Sequence, residues 1–214
     1  MDTSTSVITA ACLRGGIVLA ERAVRDAQSH GELLAPTLAA AMDEAGCVPG
    51  DLRRIVVGVG PGPFTGLRVG ITTALVMGHA LGIPVVGVCS LDAIAAGVGE
   101  RYPEFIVTTD ARRKEVYWAR YAVHDGQFSR VSGPQVSRAS DLPVDIAALP
   151  AVGIGPQLYP ESLRAGIGPS DVSAVSLGHL VAREDLLLPL DPLYLRRPDA
   201  VPSARTPTFT PAPR

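Results

Sequence analysis

Charge is scarce in this sequence, and it is balanced. Charged residues make up 19% of the 214, and the formal net charge is −2. There is no basic field of the kind that holds a phosphate backbone, which excludes nucleic-acid binding by overall charge alone. Cysteine is scarce too: Cys12, Cys47 and Cys89 form an odd, widely spaced set. They lack metal-ligand spacing and read as free buried thiols of a reducing compartment. The start of the chain shows no basic-then-apolar leader, so a cytoplasmic location is expected. The four histidines, His30, His79, His124 and His179, stand apart from one another. Each reads as a surface or capping residue, and no metal site is expected. What the chain does have is apolar character: 47% hydrophobic residues, ample for one large domain or two small lobes.

Glycine and proline are concentrated in residues 58–70, which carry Gly58, Gly60, Gly62, Gly66 and Gly70 with Pro61 and Pro63. The run follows the apolar Ile55-Val56-Val57 and opens an apolar helix pattern over 66–81. Strand, glycine turn and helix in that order usually make a phosphate cradle. Here Pro61 and Pro63 remove two backbone donors. No Lys-Ser or Lys-Thr follows, and Gly66 misses the dinucleotide spacing by one residue. This is a shaped loop in which phosphate binding stays open. The helix itself carries Gly66, Gly70, Ala74 and Gly78 on one face. Glycine inside a helix costs roughly 0.5–1 kcal/mol relative to alanine, so close packing must offset it. Either the stripe packs on the protein's own sheet, or one face packs inward while the other meets a partner helix. About fifteen residues interrupted by Arg68, His79 and glycine are too short for a bilayer span.

Along the chain, strands are expected at Val7–Leu13 and Ile17–Arg22, and a helix from Ser29 or His30 to Ala45, bent near Pro36 and stopped by Gly46. Further strands are expected at Ile55–Val59 and Val85–Val88, with a helix from Leu91. A second series begins with strands at Phe105–Thr109 and Glu115–Val123 around a turn at 110–114. The Gly-Pro junctions at Gly60 and Gly155 lie 95 residues apart, and the turns at Asp2 and Asp110 lie 108 apart. Two offsets near one hundred suggest a duplicated unit of hairpin, helix and strand. The expected division is a first lobe at 1–98, a second at 99–197 and a Pro-rich mobile tail at 198–214.

Residues 60–70, from Gly60-Pro61-Gly62 through Phe64-Thr65-Gly66-Leu67-Arg68, closely resemble the glycine-rich signature of the TsaB (YeaZ) family. Asp2-Thr3-Ser4-Thr5, residues 83–91, Asp110-Ala111-Arg112 and residues 192–196 fall where that family's other motifs lie. The resemblance covers nearly the whole chain up to the tail. It implies an actin-like ATPase (ASKHA) fold, α/β, with two ribonuclease H-like lobes whose mixed sheets are flanked by helices. It also implies a part in forming N6-threonylcarbamoyladenosine at position 37 of tRNAs reading codons that begin with A. In that family the protein is the non-catalytic partner of the transferase TsaD, joined by the ATPase TsaE, with the adenylate supplied by a separate enzyme. tRNA is then reached through the complex, and the chain alone forms a homodimer.

The resemblance places the partner contact on the 29–45 and 66–80 helices, at Leu34, Leu38, Met42, Gly66, Gly70, Ala74, Met77 and Gly78. Gly70→Leu is then expected to block partner binding while the monomer stays folded. In this fold class two hairpin turns hold the nucleotide phosphates and need glycine for close approach. Here the turns hold Asp2 and Thr3, and Asp110 and Arg112, with no glycine. They read as degraded nucleotide sites: no catalytic residue and no tightly bound cofactor is expected, with ATP or ADP at a subunit interface at most. A catalytically active small ATPase or kinase of the same superfamily is the alternative. Arg112, Arg113 and Lys114 read as an exposed hairpin tip. One departure stands out: the family has an apolar strand leading into its Asp-Thr motif, and only Met1 precedes Asp2 here. A missing central strand should leave ladder groups unpaired, so a start upstream of Met1 is expected.

Overall fold

The computed structural model describes residues 1–196, and the segment expected as a tail lies outside them. The chain opens with a hairpin of β1 (Val7–Arg14) and β2 (Ile17–Arg25), turning at Gly15 and Gly16, both at positive φ. α1 (His30–Ala45) follows and ends on Gly46 in the left-handed conformation, as expected; Pro36 lies inside it without ending it. Next come β3 (Ile55–Gly58), α2 (Phe64–Leu81), β4 (Val85–Val88), parallel to β3, and α3 (Ser90–Ala96). β5 (Glu104–Asp110), β6 (Glu115–His124) and β7 (Gln127–Arg138) form an antiparallel meander. α4 (Val144–Ala147), β8 (Ala151–Val152), α5 (Gly155–Leu158), α6 (Ala174–Leu180) and β9 (Leu187–Leu188) complete the fold.

The second unit repeats the plan of the first. There β5 lies between β6, antiparallel to it, and β8, parallel to it. In the first unit the equivalent place is held by two residues. Asp2 exchanges backbone hydrogen bonds with Thr9 (2.9 and 3.0 Å). On the other side the Met1 amine donates to the Val56 carbonyl at 2.8 Å and the Gly58 N–H donates to the Met1 carbonyl at 3.0 Å. A two-residue stub, Met1 and Asp2, thus bridges β1 and β3.

Burial of that stub has a pH consequence. Desolvation lowers the Met1 amine from 8.0 to about 6. Between those values the unfolded chain binds a proton that the folded chain does not, so stability rises with pH across that window. Two units correspond to at most about 2.7 kcal/mol. Urea titrations at pH 6 and pH 8, on the chain beginning at Met1, measure the difference directly; equal midpoints contradict a buried amine.

α2 is longer than the sequence pattern suggests, 18 residues with a mean hydropathy of 1.2. By length and composition alone it is the one helix among the described residues that could cross a membrane, which corrects the expectation of too short a segment. Its small-residue face nevertheless lies on β3 and β4 of its own sheet, the position of a core helix.

Residues beyond the expected boundary at 98/99 also pack on the first unit. α6 packs on β1, and the N–H groups of Ala174 and Val175 donate to Thr9 Oγ1 (3.3 Å) and Glu21 Oε1 (3.2 Å). β9 pairs with β4, and the Leu193 N–H donates to the Val59 carbonyl at 2.8 Å. The chain therefore leaves the first unit for β5–β8 and comes back to finish it. A single apolar cluster spans both, with Leu91 and Ile94 of α3, Phe105 of β5, Tyr121 of β6 and Leu177 of α6 fully buried. Phe105 and Tyr121 stack at 5.4 Å, and the Tyr121 hydroxyl donates to Asp92 Oδ1 at 2.7 Å. Burial pushes the Asp92 carboxyl up, against the pull of Arg130.

Candidate functional site

Asp2, Thr3 and Ser4 form a tight, buried turn at the crossing of β3, α2 and α3. The Asp2 carboxylate is engaged at both oxygens. Its Oδ1 accepts from the Ser4 N–H and hydroxyl, each at 2.7 Å, and its Oδ2 accepts from the Ser90 hydroxyl at 2.6 Å. Ser90 in turn fastens the glycine loop: its Oγ accepts from the Gly60 N–H at 3.2 Å and its N–H donates to the Gly60 carbonyl at 2.8 Å. The Thr3 hydroxyl donates to the Gly66 carbonyl at 2.7 Å.

The glycines of the loop and of α2 are spaced to receive this turn. A Cβ on Gly58 would fall on the Asp2 carboxylate, and one on Gly62 on the Ser4 carbonyl. A Cβ on Gly66 would fall on the Thr3 carbonyl, and one on Gly70 on the Thr3 hydroxyl. Four glycines at four-residue spacing thus accommodate three consecutive residues. The space beside these glycines is taken up by the turn itself, by its backbone at Gly62 and Gly66 and by its side chains at Gly58 and Gly70. Removing Ser90 tests how tightly the turn depends on it. Ser90→Ala leaves a buried carboxylate oxygen and the Gly60 N–H without their partner, and is expected to cost about 2 kcal/mol in urea denaturation. A loss under about 0.5 kcal/mol, within the range of an ordinary surface change, contradicts that.

The second turn is more open. Asp110 Oδ1 accepts from the Arg112 N–H at 2.8 Å, and the Arg112 guanidinium stands 3.6 Å from Asp110 Oδ2. Arg112, Arg113 and Lys114 are exposed, and all three have positive φ (62°, 52° and 64°), a left-handed run of residues that each carry a Cβ. Arg196 donates to the Ala111 carbonyl at 2.6 Å and pairs with Glu115 at 3.4 Å, so the end of the described chain straps this turn. Glycines also approach the second unit's strand closely: Gly153 and Gly155 lie against Thr108 of β5.

Of the eight residues expected to form the partner contact, five are buried and three half-buried in the isolated chain. Leu34, Gly66, Gly70, Ala74 and Gly78 are buried, with Gly78 against Val85. Leu38, Met42 and Met77 are half-buried and line a cavity inside the first unit. The stripe faces inward because the turn and β4 need the room. A Cβ at Gly70 falls on the Thr3 hydroxyl, so Gly70→Leu is expected to disturb the monomer as well as any contact. The opposite face of α2 is the exposed one: Leu75 is 45% exposed and Val76 62%. Beside it the Arg68 guanidinium lies 3.8 Å over the Phe64 ring and donates to the Tyr194 hydroxyl at 3.1 Å.

Two cysteines and one histidine differ from expectation, while His79, His124 and His179 are exposed. Cys12 and Cys47 come together, Sγ to Sγ at 3.7 Å, and are half-buried; burial pushes the Cys12 thiol up to about 11. Cys89 is buried as expected, its thiol pushed up to about 12 by desolvation. His30 is a core residue whose Nε2 donates to the Thr5 carbonyl at 2.7 Å.

Comparison with known proteins agrees with this architecture. A family model described as TsaD: tRNA N6-adenosine threonylcarbamoyltransferase matches residues 13–183. An uncharacterized protein of Mycobacterium tuberculosis is 47% identical over 206 residues, 95% of this chain and 93% of its own length. The tRNA threonylcarbamoyladenosine biosynthesis protein TsaB of Bacillus subtilis is 34% identical over 132 residues, 61% of this chain and 57% of that protein. The solved structure of YeaZ from Pseudomonas aeruginosa superposes with a TM-score of 0.72 at 28% identity, covering 91% of this chain and 97% of that one. The fold is the actin-like one with ribonuclease H-like units, and this chain belongs to the TsaB (YeaZ) family.

Proposed function

We propose that this chain is a non-catalytic subunit of the machinery that makes N6-threonylcarbamoyladenosine at position 37 of tRNA, working as the partner of a TsaD-type transferase in the cytoplasm. The observation that carries the reading is the Asp2 carboxylate, whose two oxygens are taken up by Ser4 and Ser90. An acid so occupied, in a turn walled by Gly58 and Gly62, is crowded by the protein's own groups on both oxygens, which supports a non-catalytic reading. Family membership supports the pathway, and the exposed apolar face of α2 at Leu75 and Val76 supports a protein partner. The neighbouring outer face of α1, with Ala35 and Ala39 exposed, extends that surface. Used alone, the same surface gives a homodimer; in the complex it gives way to the transferase. A TsaE-type ATPase joins, tRNA is reached through the assembly, and any ATP or ADP sits at a subunit junction.

Light scattering after size exclusion tests this, on the chain alone and mixed with the TsaD-type protein of the same cell. A self-associated species converting to a one-to-one complex is the expected result. Absence of a complex, with and without ATP, overturns the partnership. A tight ATP complex of the chain alone, with turnover lost in Asp2→Ala, overturns the non-catalytic role.

A further inference from the structure

Cys12 and Cys47 are placed by two separate backbone devices. Cys12 stands where the pairing of β1 with β2 shifts register, between Cys12 and Leu13. Such an irregularity re-aims a side chain away from the plain alternation of a strand. Cys47 is fixed by the end of α1. Gly46 turns left-handed, its N–H donates to the Asp43 carbonyl at 3.1 Å, and the Cys47 N–H donates to the Met42 carbonyl at 3.0 Å. This double closure holds the residue after the glycine and turns it back toward the last turn of the helix. Two sulfurs 35 residues apart in sequence thereby meet, the Cys47 thiol donating to Cys12 Sγ at 3.7 Å.

An S–S bond is about 2 Å long, so the sulfurs have only a short way left to travel. Neither thiol is sealed in: both are half-buried, whereas Cys89 is fully buried. The two are not alike. Burial first, and then the neighbouring Cys47, push the Cys12 thiol up to about 11, so at neutral pH it keeps its proton. Cys47 lies in the connection after α1, between the exposed Gly46 and Val48. The encounter with an oxidant therefore falls to Cys47.

We propose that Cys12 and Cys47 are a thiol–disulfide modification site, closed by a low-molecular-weight disulfide and reopened by free thiol. The Cys47 thiolate attacks one sulfur of the small disulfide. A mixed disulfide forms, the small S–S bond breaks, and one small thiolate leaves and takes up the proton that Cys47 gave. Cys12 then attacks Cys47 Sγ. The protein's own S–S bond forms, the mixed disulfide breaks, and the second small thiolate leaves with the Cys12 proton. Two protein thiols are oxidised, and one small disulfide is reduced to two thiols. In a reducing compartment the site rests open, and it closes as the oxidised share of the small-thiol pool rises. The bond encloses β2 and the whole of α1, and ties the C-terminal end of α1 to β1. Closing that loop constrains the unfolded chain, so oxidation makes the first unit firmer. The inference does not rest on the partner reading; it concerns the first unit alone.

The test holds the full, folded chain in buffers of reduced and oxidised glutathione at set ratios, followed by peptide mass spectrometry and the thermal midpoint. A Cys12–Cys47 bond within one chain is expected in the oxidised buffers, with the midpoint raised by roughly 5–10 °C. Dithiothreitol is expected to remove the bond and return the midpoint. Cys89→Ser is expected to behave as the parent, and Cys12→Ser to stop at a glutathione mixed disulfide on Cys47. Glutathione on both cysteines with no bond between them overturns the proposal. So does a bond that joins two chains, or one that forms only after urea has unfolded the protein.

Discussion

Gly66→Leu is expected to lower the thermal midpoint by roughly 8–16 °C, the equivalent of about 4 kcal/mol in a chain of this size. The reason is the kind of atom in the way. A side chain at Gly66 meets the Thr3 carbonyl, part of a backbone held by the Asp2–Thr9 bridge and the Thr3–Gly66 hydrogen bond. Backbone so fixed cannot swing aside as the end of a flexible side chain does, so α2 has to leave β3 or the turn has to break. Gly70→Leu meets the Thr3 hydroxyl and Val57, and is expected to follow with a smaller loss. Differential scanning calorimetry measures both. A Gly66→Leu midpoint within 2 °C of the parent returns the stripe to the surface and restores the view that it is a docking face.

Leu75→Asp combined with Val76→Asp is expected to do the reverse: to weaken the complex with the TsaD-type subunit about 1000-fold while shifting the midpoint by less than about 2 °C. Both side chains stand in solvent in the isolated chain, so a carboxylate there costs the fold little. In a buried contact each carboxylate must be stripped of water without a counter-charge. Calorimetric titration into the partner reads the affinity, and the same sample heated alone reads the fold. Unchanged affinity moves the contact off α2 altogether. The two experiments together separate a helix face that builds the monomer from one that meets another chain.

The elements before residue 97 were readable because apolar runs there are long and bounded by glycine or proline: Gly46, Gly82 and Gly97 each close a helix that the periodicity opens. β7 was not readable. It is an edge strand with alternating half-exposed positions that contains Gly133 and Pro134, and its residues are mostly Ser, Gln and Arg. α6 and β9 are short and held by contacts with β1 and β4, which no local pattern announces. At the site, four-residue spacing shows that small side chains share a face, but periodicity is silent about which way the face turns. That sense is set by the Asp2–Ser4 turn, some sixty residues earlier in sequence. Asp92 carries no local signal either; only the arrival of Tyr121 and Arg130 makes it a buried acid.

The return of residues 173–193 to the first unit bears on how the chain comes to be folded as it is made. β9 supplies the second neighbour of β4, Leu193 caps the end of β3 at Val59, and Arg196 closes the second turn at Ala111. A unit that begins at the first residue is therefore completed by almost the last ones described. On a ribosome, where N-terminal domains commonly fold before the rest is synthesised, this chain has no such order available. The edge of β4 opposite β3 stays open until residues 187–188 are in place, so the first unit is completed only after the second has been made.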